Sequence, residues 1–127
     1  MEIVKLLIAD IELANTYHHS LLKNISERQK EKALCFKNEK DQRRSLISSY
    51  LVNRLSKDEL QISATGKPYY AHGPFFNISH SGRYVVMVVA NQEIGVDIEE
   101  DIEKNMDILL KIFNEAESKM IKEHADF

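Results

Sequence analysis

Apolar residues recur along the chain at two spacings, and the switches between them mark its elements. Glu2 to Ala9 (EIVKLLIA) is apolar enough for a buried opening strand. From there to Ile25, residues Leu13, Tyr17, Leu21 and Leu22 fall at helical spacing and predict one helix. His18 and His19 are adjacent, so they face different sides of that helix and read as surface or boundary positions. Ser26-Glu27-Arg28-Gln29 has the capping-box pattern and opens a short helix to about Phe36, with Arg28, Lys30, Glu31 and Lys32 among its polar positions. Asn38 caps a further helix through about Leu55, whose apolar face is Leu46, Ile47, Tyr50, Leu51 and Leu55.

Beyond Leu55 the period changes from helical to alternating. Thr65-Gly66-Lys67-Pro68 is a turn, because Gly permits positive φ and Pro fixes the exit; Lys67 is held on it. His72-Gly73-Pro74 is a second turn. Strands are expected at 61–63, 69–71, 75–80, 84–90 and 94–99, joined by short connections in an antiparallel or mixed sheet. Asn114-Glu115-Ala116-Glu117 repeats the cap pattern and starts a last helix to about His124. Helices at 13–55 and after 105 packed on the sheet give an α+β class, and 127 residues suit a single domain.

Composition narrows the functional classes. The longest apolar run, Val85 to Ala90, has a strand's length, and the N-terminus lacks the charged-then-apolar build of a signal peptide. Cys35 is the single cysteine, so neither a disulfide framework nor a zinc cluster is expected; a cytoplasmic protein without membrane contact is the simple reading. The net charge of −3 hides an asymmetry. Lys23 to Lys57 holds ten Lys/Arg against four Asp/Glu, whereas Glu93 to Asp126 holds eleven acids against four bases. Such a chain could hold a polyphosphate with one stretch and its cation with the other, or both stretches could be solvated helix faces. Nucleic acid is not the expected partner, because few aromatics interleave the basic stretch and the overall charge is negative.

Two features point to chemistry. Asp97 and Glu99 sit at i and i+2 of an expected strand and project to the same side. Paired carboxylates repel unless a cation sits between them, and oxygen-only ligands suit Mg²⁺ with substrate phosphates. Arg43 and Arg44 lie near the start of the helix after Asn38, where they oppose the helix dipole; either a bound anion offsets this, or the side chains lean into solvent.

Gly66-Lys67-Pro68, then Phe76-Asn77-Ile78-Ser79-His80-Ser81, then Ile94-Gly95-Val96-Asp97-Ile98-Glu99 resemble, in this order and spacing, the 4'-phosphopantetheinyl transferases of the surfactin-synthetase-activating (Sfp) type. The resemblance extends from Ile25-Ser26 through Arg44-Ser45-Leu46 to Phe113-Asn114-Glu115-Ala116-Glu117. It implies transfer of phosphopantetheine from coenzyme A to a serine of an acyl or peptidyl carrier protein, releasing 3',5'-ADP. By position, Asp97 and Glu99 look like the Mg²⁺ ligands, and Lys67, Ser79 and His80 look like phosphate contacts. Lys32 and Arg44 match the basic residues around the 3'-phosphate and pyrophosphate. Glu117 matches an acidic position near the site, which its place in a capping box also explains. Gln29 stands where the family often has a lysine.

Members of this family have two similar halves with the site between them, and the second half carries a Trp-containing helix whose Glu completes the metal site. This chain has no Trp, so the resemblance implies the N-terminal half only, with the C-terminal half absent. A homodimer is one way to bury the face that the other half would cover. It would supply no third carboxylate, because residues 43–55, the helix that pseudo-symmetry would place there, contain no acid. Weak or absent transfer by this chain alone is therefore expected, and a non-catalytic module binding CoA and Mg²⁺, or a partner subunit, is the alternative.

Overall fold

The computed structural model describes residues 3–92 and 104. The chain opens with β1 (Ile3–Asp10), followed by α1 (Leu13–Thr16), α2 (His18–Lys23), α3 (Glu27–Leu34) and α4 (Glu39–Asn53). Four strands follow: β2 (Gln61–Ile62), β3 (Pro68–Tyr69), β4 (Phe75–Ser81) and β5 (Tyr84–Ala90). Helices and antiparallel strands together bear out the α+β expectation. The strand expected at 94–99 and the helices expected after 105 lie outside the described residues.

The helix expected over 13–25 is two pieces, divided at Tyr17, whose φ of −113° and ψ of 26° leave the helical region. Thr16-Tyr17-His18-His19 is a run of modest helix formers that lose side-chain freedom against the preceding turn. His18 and His19 are exposed, as expected. α2 stops before Ile25: the Asn24 side chain donates to the Ser20 carbonyl at 2.7 Å, and Ile25 turns into the core.

Both later helix starts follow the sequence. Ser26 Oγ accepts from Gln29 N at 3.1 Å while Gln29 Oε1 accepts from Ser26 N at 2.9 Å, completing the capping box of α3. Asn38 Oδ1 accepts from Lys40 N at 2.7 Å and caps α4.

The main sheet has the order β1-β5-β4, antiparallel throughout. β2 and β3 do not join it; they form a separate ribbon of two residue pairs around the turn at Gly66, whose φ is 88°. The expected single sheet is thus a sheet plus a ribbon. Pro68 has no N–H to give a neighbouring strand, which limits that ribbon. β5 is the central strand, and its Val85 to Ala90 are all buried. Ala9, Val85, Met87, Val89 and Phe76 join Ala14, Leu21, Ile47 and Leu51 from the helices in one core cluster.

Two arginines fasten the β4–β5 turn, Gly82-Arg83. Arg83 Nε donates to Asp10 Oδ2 at 2.8 Å, and its terminal nitrogen pairs with the same oxygen. That hydrogen bond holds the Arg83 guanidinium pKa above its ordinary value, against the opposing effect of burial. From the helical side, Arg44 donates to the Gly82 carbonyl.

Tyr70 ties the ribbon to α4. Its hydroxyl donates to the Val52 carbonyl at 2.7 Å, and its ring meets Phe76 edge-on at 6.1 Å. Burial, reinforced by the charge of Asp58, raises its pKa above 10.0. The folded state therefore keeps the phenol proton after the unfolded chain has lost it. Stability from this group is full below pH 10.0 and falls as pH rises through the folded-state value. Tyr70→Phe should cost about 1 kcal/mol at neutral pH, and the gap between variant and wild type should close above pH 10.0. Urea unfolding at pH 8 and about pH 11 checks both signs.

Candidate functional site

α4 carries two different stripes. Leu46, Ile47, Tyr50, Leu51 and Val52 pack in or against the core, whereas Asp41, Arg44, Ser45, Ser48 and Ser49, at spacings of three and four residues, line a groove of about 350 Å³ that Val52 also borders. α3 forms the facing wall with Arg28, Gln29 and Lys32, which share one side of that helix. Phe36, Leu60, Ile62, Pro68 and Ile78 make the apolar lining, and His80 closes the end near the β4–β5 turn. Small hydroxyls on α4 leave the gap between the helices open; larger side chains there would fill it.

The charges of the groove are unbalanced. Its lining holds three cations, Arg28, Lys32 and Arg44, and one acid, Asp41, which is already bound by Arg44 at 2.9 Å. Lys30, on the same helix, is paired with Glu27 at 2.9 Å. Arg28 and Lys32 have no ion pair among the described residues. Like charges at i and i+4 on a helix are mildly destabilising, while the place of Lys32 in the last turn of α3 suits the helix dipole; an anion in the groove would relieve the repulsion.

Arg44 is held in place by its neighbours. One terminal nitrogen meets Asp41, the other the Gly82 carbonyl, and Nε is buried with no partner. An orphaned guanidinium N–H beside two unpaired cations suits an anionic oxygen. Arg43, one residue away, bonds Glu12 at 3.2 Å and Glu39 at 3.4 Å. The tension between the two arginines and the helix dipole is thus offset by acids, including Glu39 and Asp41 in the first turn.

Of the positions expected to contact a nucleotide, the groove unites Lys32, Arg44 and His80. Lys67 is exposed in the β2–β3 turn, fixed by backbone bonds to Ser63, and does not line the groove. Ser79 is half-buried and follows strand alternation: it shares its sheet face with Asn77, while Ile78 and His80 face the groove. Arg28 and the serine stripe were not singled out in the sequence; the i, i+3, i+4 spacing of Ser45, Ser48 and Ser49 was the available signal. Asp97, Glu99 and Glu117 lie outside the described residues. Among the described residues no group of three or more His, Cys, Asp or Glu comes together to hold a metal ion, and no helix is long and apolar enough to cross a membrane.

No protein-family model matches the chain. Individual proteins do. The 4'-phosphopantetheinyl transferase Sfp of Bacillus subtilis (strain 168) is 31% identical over 119 residues, which is 85% of this chain and 53% of the relative. Over its matched span the chain is similar to 4'-phosphopantetheinyl transferases of the Sfp type. The 4'-phosphopantetheinyl transferase gsp of Aneurinibacillus migulanus is 31% identical over 106 residues, 76% of this chain and 45% of its own. The ffp transferase of Bacillus subtilis is 32% identical over 118 residues, 84% and 53%. The chain spans about half the length of the curated relatives it matches. Cations without an ion pair among the described residues, beside an apolar lining, have the chemistry to receive an anionic ligand that also carries apolar surface.

Proposed function

We infer that this groove takes the nucleotide end of coenzyme A, and that the chain serves transfer of 4'-phosphopantetheine to a serine of an acyl or peptidyl carrier protein. The observation that carries this is the convergence of Arg28 and Lys32 from α3, Arg44 from α4 and His80 from β4 on one groove. The serine oxygen, giving its proton to a nearby carboxylate, would form a bond to the phosphorus bearing pantetheine as the pyrophosphate P–O bond breaks, and 3',5'-ADP would leave with the added negative charge. Arg28, Lys32 and Arg44 would hold the ligand and stabilise that charge by position rather than by proton transfer.

The cation side of the site is assigned to Asp97 and Glu99, with Glu117 as the further acid. Mg²⁺ bound there would neutralise pyrophosphate charge. Lys67 and Ser79 keep their assignment as phosphate contacts on the family motif alone. The domain assignment, residues 1–127 as the N-terminal half, follows from the same motifs. Relatives about twice the matched span support placing the remainder of the transfer site outside it, on a second half.

Titration calorimetry with CoA, with and without Mg²⁺, tests this reading on wild type and Asp97→Ala. Binding that Mg²⁺ strengthens in wild type and not in the variant is the expected result. No CoA binding under either condition would overturn it. Incubation with carrier protein separates a working transferase from a non-catalytic CoA-binding module, the second reading that the half-length match favours.

A further inference from the structure

The α3 wall of the groove is held by an amide pair, one member of which lines the groove. Gln29 Nε2 donates to Asn53 Oδ1 at 2.9 Å, and Asn53 Nδ2 donates back to Gln29 Oε1 at 2.8 Å. Asn53 Nδ2 also reaches the Asn24 carbonyl at 3.0 Å, and Gln29 Oε1 accepts the Ser26 N–H at 2.9 Å. Four hydrogen bonds on two side chains thus join the end of α2, the start of α3 and the last turn of α4. Gln29 lies between Arg28 and Lys32, and all three line the groove, whereas Asn53 does not.

We propose that Asn53 is a positioning residue: through Gln29 it sets how far Arg28 and Lys32 on α3 stand from Arg44 on α4. The charge asymmetry supports this. Arg28 and Lys32 repel each other, and neither has an ion pair among the described residues to hold it. The reciprocal amide pair supplies fixed, uncharged bonds at Gln29, which lies between Arg28 and Lys32 in sequence and shares the groove wall. Both amides use donors and acceptors in paired geometry, so the clasp is directional as well as attractive. Its reading as a device for ligand placement rests on the CoA assignment of the groove.

The test uses Asn53→Ala, Gln29→Ala and the double variant in the 127-residue chain, with CoA in Mg²⁺ buffer as the probe. Asn53→Ala should weaken CoA affinity roughly tenfold at a temperature where it remains folded, since displaced binding groups lose contacts without being removed. The salt dependence of affinity should become shallower, because fewer cations engage the phosphates. The double variant should bind no more weakly than the weaker single, the mark of two residues acting as one unit. A lowered folded fraction alone would shift apparent affinity and leave the salt slope unchanged; that result, or an unchanged affinity, overturns the proposal. Amide exchange on the ligand-free protein reads the clasp independently. Faster exchange confined to residues 27–34 is expected, and uniform acceleration across β1, β5 and α4 overturns it. Failure of wild type to bind CoA would overturn the CoA assignment, and exchange would still decide the clasp.

Discussion

Lys32→Glu should weaken CoA binding by about a hundredfold while leaving stability nearly unchanged. The substitution changes the groove by two charge units next to the ligand phosphates. At a partly screened surface a unit charge pair a few ångströms apart is worth about 1 to 4 kcal/mol. Each 1.4 kcal/mol is about tenfold in affinity. Lys32→Gln, which removes one unit, should therefore lose about tenfold on the same scale. Stability should barely move, because Glu at this position relieves the i,i+4 repulsion with Arg28 but gives up a cation in the last turn of α3, where the helix dipole favours one. A large loss of binding beside nearly unchanged stability separates a ligand contact from a fold contact. Lys30→Glu is the matched control: Lys30 pairs with Glu27, lies outside the groove, and should leave affinity within about twofold. Calorimetry at low and physiological salt measures all three, and an unchanged affinity in Lys32→Glu would remove the groove from the CoA assignment.

What was legible in the sequence was local. The capping box at Ser26 and Gln29 and the Asn38 cap are short-range bonds written in three or four residues, and the structure has both. The β5 run needed only its unbroken apolar stretch. The division at Tyr17 was not legible, because the apolar spacing continues through it and only backbone propensity opposes it. The partners of Arg43 and Arg44 were also hidden: Glu12 and Gly82 lie 31 and 38 residues away, so sequence offered only an anion or solvent. Convergence of Lys32, Arg44 and His80 came from the family motifs and not from spacing. Those motifs treat Ser79 and His80 as a unit, although strand alternation sends them to opposite faces. The ribbon shows a similar limit. Two short strands around a Gly turn read as part of the sheet until Tyr70 is seen anchoring them to α4.

α4 joins stability to the site, which makes Ile47 the most consequential core position for both. Ile47 is 0% exposed and sits between Leu46 and Ser48, so one residue separates the core stripe from the groove stripe. Ile47→Ala removes side-chain carbons that pack with the sheet and should cost about 3 kcal/mol, counting lost transfer energy and the cavity left behind. That is a large fraction of the roughly 5 to 15 kcal/mol that holds a domain of this kind together. Ser48→Ala, on the groove side, removes a half-buried hydroxyl and should change stability by about 0.5 kcal/mol or less. The two variants should therefore part company in a urea melt, with a lower midpoint for Ile47→Ala and an unchanged one for Ser48→Ala. A midpoint for Ile47→Ala close to wild type would mean that α4 is seated by its polar contacts, Arg44 to Gly82 and Asn53 to Gln29, and not by the core. The groove would then owe its shape to hydrogen bonds at the two ends of one helix, and its width would respond to Asn53 more than to any apolar residue beneath it.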